Sequence, residues 1–126
     1  MKKLLSVLMV IVLSVGCSYP MLTKIEYRRI LPAEAQEIMI NYDVLILDVR
    51  TQQEFAGGHI PNAVLLPYIE IRATAENVIS DRTRIILVYC QSGRRSEIAA
   101  RTLIELGFVN VFDFGGINAW TGEIAQ

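Results

Sequence analysis

Two uninterrupted apolar runs, Val44-Leu45-Ile46-Leu47 and Ile85-Ile86-Leu87-Val88, restrict this chain more than anything else in it. A strand with one wet face alternates apolar and polar residues. A strand covered on both faces is apolar throughout, as in parallel sheets packed between helices. The strand reading extends from Val44 to Val49 in the first case and from Arg84 to Tyr89 in the second. After the second comes Ser96 to Leu106, with Ala99, Leu103 and Leu106 on one face and Glu97, Arg101 and Glu105 at i, i+4 spacing on the other. That is an amphipathic helix, stopped by Gly107. A further strand at Val109 to Phe112 completes a right-handed βαβ crossover. The class expected is therefore α/β, a central, mainly parallel sheet flanked by helices on both faces. Shorter elements are expected at Ile25 to Ile30 (strand), Pro32 and Ala33 to Met39 (helix) and Ala63 to Leu66 (strand).

The 126 residues allow one domain, and the apolar fraction of 52% owes much to the first stretch. Lys2 and Lys3 precede an apolar or small run from Leu4 to Val15, the basic and hydrophobic regions of a secretory signal. The run is short of the roughly 20 residues that span a bilayer. Gly16-Cys17 after it resembles a bacterial lipoprotein signal, which implies cleavage before Cys17 and lipid on its thiol. Ordinary secretion and an uncleaved anchor are the alternatives. The expected organisation is a signal peptide at 1–16, a short tether at 17–23 and a folded domain at 24–126. The domain would then be exported to the bacterial cell envelope or periplasm and held to a membrane by lipid. Loss of Lys2 and Lys3 from the twelve basic residues leaves ten against thirteen acidic. The arginines are scattered apart from Arg28-Arg29 and Arg94-Arg95, so the basic stripe needed for nucleic-acid binding is missing.

If Cys17 carries lipid, Cys90 has no partner in the chain, and a lone thiol in an oxidising compartment is either inert and buried or kept for its reactivity. Its position decides in favour of reactivity. Ligands of open α/β sheets bind beyond the carboxyl ends of strands, where loops lead into helix N-termini. Cys90 directly follows the strand ending at Tyr89 and opens Cys90-Gln91-Ser92-Gly93-Arg94-Arg95-Ser96. A loop curling over the sulfur turns N–H groups inward, Gly93 permits the curl, and Arg95 adds charge. Helix N-termini and cations bring a thiol from about 8.5 down to roughly 3.5–7.5. A nucleophilic thiolate in an anion-binding nest is the expectation. The bland alternative is one more buried core cysteine.

The spacing of Cys90, Gly93, Arg95 and Ser96 resembles the active-site pattern of the rhodanese domain family. Leu47-Asp48-Val49-Arg50, Glu54-Phe55 and Gly58-His59-Ile60-Pro61-Asn62-Ala63 are similar to its first signature, with Asn62 where glycine is commoner. Leu103, Leu106-Gly107-Phe108, Val111 and Phe114-Gly115-Gly116-Ile117 to Trp120 resemble its closing one. The resemblance covers about residues 24 to 122. It implies a rhodanese-like fold and sulfur transfer through a Cys90 persulfide, with Gln91, Ser92, Gly93, Arg94, Arg95 and Ser96 binding the substrate. The implied partners are a small anionic donor such as thiosulfate and a thiol, cyanide or protein-thiol acceptor, with no metal or organic cofactor.

Other marked residues have plainer readings. His59, the single histidine, reads as a packing or hydrogen-bonding residue, and one histidine with one free cysteine cannot assemble a zinc site. Asp48, Arg50 and Glu54 read as ion pairs that hold loops, Trp120 as a packing anchor, and Arg94 as pointing outward. Two rival functions stay open. A phosphatase or arsenate reductase would use a similar nest, but such relatives place five residues between cysteine and arginine where Cys90 and Arg95 enclose four. A carrier module would pass its sulfur only to a protein partner.

Overall fold

The computed structural model describes residues 24–126. The signal-like segment 1–16, Cys17 and the tether 17–23 lie outside the described residues. In chain order the elements are α1 (Pro32–Asn41), β1 (Val44–Asp48), α2 (Gln52–Ala56), β2 (Val64–Leu65), a 3-10 turn (Tyr68–Glu70), α3 (Ile71–Val78), β3 (Ile85–Cys90), α4 (Arg94–Glu105), β4 (Val111–Gly116) and a second 3-10 turn (Ile117–Ala119). The four strands form one sheet in the order β2-β1-β3-β4, every pairing parallel. The chain steps outward from β1 to β2 and then crosses back to β3 on the other side of β1. The crevice between the carboxyl ends of β1 and β3 is thus the topological switch point.

Both faces of the sheet are covered, as the unbroken apolar runs require. Successive strand side chains alternate between faces. Leu45, Leu47, Ile86, Val88 and Cys90 pack with Ile71 and Ala75 of α3 and Ala99 and Leu103 of α4. Ile46, Leu87, Tyr89 and Phe114 pack with Ala35 of α1, Ile60 and Trp120 on the other face. Cys90 therefore points beneath α4 by strand parity alone.

Besides shifts of one or two residues at other element ends, among them Cys90 as the last residue of β3 rather than the first after it, three boundaries differ from expectation. Ile25 to Ile30 forms no strand. It touches the sheet through one parallel bridge, Arg29 to Asp113, with Ile30 donating its N–H to Asp113 O and Asp113 to Arg28 O. The last strand runs on from Val111 to Gly116 rather than stopping at Phe112. Its two glycines continue the ladder, after an irregularity, as far as a Cys90–Gly116 pairing. Helix α4 begins at Arg94, two residues earlier than expected, because Gly93 takes φ +106° and closes the turn as N-cap. Asn62 also has positive φ, 68°, which asparagine tolerates better than most residues, so it stands in for glycine there.

Candidate active site

Because the helix starts early, the loop itself is only Gln91 to Gly93, and Arg94, Arg95 and Ser96 are the first turn of α4. The first N–H groups of a helix have no partner within it, so the early start aims them at the end of β3. Cys90 Sγ accepts the Gly93 N–H at 3.0 Å. Burial pushes the thiol up. The Ser96 hydroxyl and the N–H groups of Ser96, Gly93 and Ser92 pull it down by more, so its pKa lies below the ordinary thiol value. A cysteine that only filled the core would lack these donors. Cys90 does have one core property, since its exposure is 0%.

The Ser96 hydroxyl has a single proton and three acceptors near it. It reaches Gly93 O at 3.1 Å and Gly115 O at 3.4 Å, and it also faces the sulfur. Rotation of the hydroxyl can thus follow the charge on Cys90 while the buried oxygen keeps a partner.

Two outer supports were not visible in the sequence. Arg29, 64 residues before Gly93, donates from Nη2 to Gly93 O at 2.8 Å and bonds Asp113 at 2.9 Å. Its Nη1 lies 3.0 Å from where a Cβ on Gly93 would stand, so the glycine serves both φ and space. The second is Gly116, whose φ of −107° suits any residue. A Cβ there would lie 2.2 Å from Gln91 O and 2.7 Å from Ser92 Cα. The loop rests directly on this backbone.

Arg95, expected to bind substrate, is engaged by a carboxylate. Both its terminal nitrogens are bonded to Glu54, at 2.8 and 2.7 Å, so the guanidinium is committed to a carboxylate rather than free for a substrate. Glu54 also accepts the Thr51 N–H at 2.9 Å and so caps α2. The Arg95 bonds, followed by those from Thr51, outweigh burial and hold Glu54 at about 2. Arg95 still lies within electrostatic reach of the sulfur, and the charges of Glu54, Cys90 and Tyr68 favour its cationic form. Arg94 is exposed, as expected of a residue pointing outward.

Behind the loop, Asp48, Arg50 and Tyr89 form a buried network. Arg50 bonds Asp48 through Nε and Nη2, Tyr89 donates its hydroxyl to Asp48 at 2.7 Å, and that hydroxyl accepts the Ile60 N–H at 3.0 Å. Arg50 Nη1 then reaches Gln91 Oε1 at 3.1 Å, and Gln91 Nε2 donates to Asn118 at 2.6 Å. The Gln91 side chain is occupied in holding the loop between two elements. Ser92 is exposed at the rim, where its N–H alone serves the sulfur. His59 stacks on Phe55 with ring centroids 3.8 Å apart and bonds Phe55 O through Nδ1. Trp120 packs 5.7 Å from Phe114.

Comparison with known proteins gives one consistent result. Residues 31–123 match the rhodanese-like domain. A thiosulfate sulfurtransferase GlpE of Coxiella burnetii is 35% identical over 95 residues, 75% of this chain and 87% of that protein. A putative sulfur carrier protein, YrkF of Bacillus subtilis, is 38% identical over 94 residues, 74% of this chain and 50% of its own length. A rhodanese-related protein of Thermoplasma volcanium has a crystal structure that superposes with a TM-score of 0.69 at 31% identity, covering 79% of this chain and 98% of that one.

Proposed function

The chain belongs to the rhodanese-like domain family, and from that premise we propose that it is a sulfurtransferase carrying sulfane sulfur on Cys90. One observation carries the reading: a fully buried thiol whose sulfur accepts the Gly93 N–H at 3.0 Å, beneath the open first turn of α4. These donors stabilise a negative sulfur, either the thiolate or the outer sulfur of a persulfide.

The chemistry is two displacements at sulfur. The Cys90 thiolate attacks the outer sulfur of a donor. With thiosulfate the S–S bond breaks, sulfite leaves with the bonding pair, and Cys90 keeps a persulfide anion. A thiophilic acceptor such as cyanide or a thiol then attacks the outer sulfur and regenerates the thiolate. No redox partner, metal or organic cofactor enters this balance. Gln91, Ser92, Gly93, Arg94, Arg95 and Ser96 surround the reacting sulfurs, the amides as donors and Gln91 and Arg95 as props of the loop and rim.

Intact-protein mass after thiosulfate treatment tests this. A gain of one sulfur atom, absent in Cys90→Ser, is expected, and a mass left unchanged by thiosulfate and by an organic hydropersulfide alike would overturn it. The relative named as a sulfur carrier favours a second reading, in which the acceptor is a protein thiol. Persulfide that forms readily but passes to neither cyanide nor small thiols would select that version. We further propose that residues 1–16 export the domain to the cell envelope and that Cys17 carries lipid, which metabolic labelling with palmitate tests.

A further inference from the structure

Each guanidinium that touches the Cys90 loop or its first helical turn through its own side chain is already neutralised. Arg29 pairs with Asp113 at 2.9 Å, Arg50 with Asp48 at 2.7 Å, and Arg95 with Glu54 at 2.7 Å. Arg94, exposed, makes no ion pair among the described residues. An attacking thiolate and a dianionic donor together bring three negative charges to a place where one unpaired side-chain cation and the helix N-terminus face them. The pairs at Arg29 and Arg50 end on fully buried carboxylates, whereas Glu54 is 30% exposed at its side chain. Glu54 is therefore the acid of the three that an incoming anion meets.

We propose that Glu54 is a specificity-determining residue: by holding Arg95 at the rim it selects against dianionic sulfur donors such as thiosulfate and in favour of an organic hydropersulfide. The inference rests on Cys90 being the sulfur acceptor. With a hydropersulfide R–S–SH the thiolate attacks the outer sulfur, the S–S bond breaks, R–S⁻ leaves with the bonding pair, and Cys90 holds S–SH. Atoms and charge balance, and no dianion has to approach.

Sulfur addition to Cys90 is followed by intact mass in single turnovers, with thiosulfate and with benzyl hydropersulfide. Glu54→Gln keeps an oxygen for the Thr51 N–H and removes the charge. It should raise the thiosulfate rate relative to the hydropersulfide rate by about five- to thirty-fold, from charge interaction at the rim. In Glu54→Gln/Arg95→Gln the gain should vanish. An unchanged or lower ratio, as from an equal rise for both donors, overturns the proposal. The unsubstituted protein supplies a check free of folding effects. Its reaction with thiosulfate should quicken as salt is added, as for like charges, and a rate that falls with salt overturns donor selection. If neither donor adds sulfur to Cys90, the sulfur-transfer reading itself fails and this one with it.

Discussion

Replacing Gly116 by alanine should damage the site without removing any side chain around Cys90. The added Cβ would sit 2.2 Å from Gln91 O, 2.7 Å from Gln91 C and 2.7 Å from Ser92 Cα. Ordinary C···O contacts lie at about 3.3–3.6 Å, so the loop must retreat by about 1 Å, and every atom it meets is backbone that cannot rotate aside. Such overpacking costs about 1–3 kcal/mol of stability. The larger effect falls on the sulfur, because the same displacement lengthens the Gly93 N–H bond to Sγ from 3.0 Å. A misplacement of about 1 Å at a reacting centre costs on the order of 100-fold in rate. The thiol should rise towards its ordinary pKa of about 8.5. Iodoacetamide alkylation against pH, in a Cys17→Ser background, reads the ionisation, and thiosulfate single turnover reads the rate. Gly57→Ala is the control, since its Cβ would meet only ordinary contacts at 3.5 and 3.6 Å. Gly116→Ala protein with an unaltered alkylation profile and turnover would show that the loop does not take its position from β4.

Three further outcomes follow from the same geometry. Tyr89→Phe strips a donor from buried Asp48 and an acceptor from the Ile60 N–H, so urea unfolding should show a loss of about 1–3 kcal/mol, and an unchanged midpoint would contradict the network. Glu54 is held at about 2, below its usual 4.5, so its pair with Arg95 stabilises the fold above about 4.5 and loses that effect as the pH falls towards 2. The stability gap between the natural protein and Glu54→Gln should be about 1 kcal/mol at neutrality, given the pair's partial exposure, and should close on acidification. A gap that widens in acid would refute the sign. Since Cys90 has 0% exposure, folding should protect it more strongly from a bulky aryl maleimide than from iodoacetamide, each rate compared with that in urea. Equal protection would mean the thiol is open in solution.

What could be read from the chain beforehand follows the range of the interactions. β1, β3 and α4 announced themselves because buried strands and amphipathic helices are written in consecutive residues. Cys90 at the end of β3 was legible for the same reason, and strand parity then places its side chain under α4. The Ile25 to Ile30 segment misled because its apolar residues pack without a ladder, a single bridge at Arg29 being its one β pairing with β4. Gly115 and Gly116 carry no local signal of this contact, since the reason for Gly116 is the Gln91 backbone 25 positions away. Arg95 carries a motif signal for anion binding, but its partner Glu54 lies 41 residues upstream, and only folding brings the two together. Arg29 had no local signal at all.

The central claim is that the Ser96 hydroxyl and main-chain donors lower the pKa of Cys90 despite complete burial. The most direct measurement is the rate of iodoacetamide alkylation of Cys17→Ser protein across pH. The half-maximal rate should fall below the ordinary thiol value of about 8.5, since the Ser96 hydroxyl and the N–H groups of Ser96, Gly93 and Ser92 outweigh burial. A midpoint at or above that value would mean that burial wins and that Cys90 is a core residue.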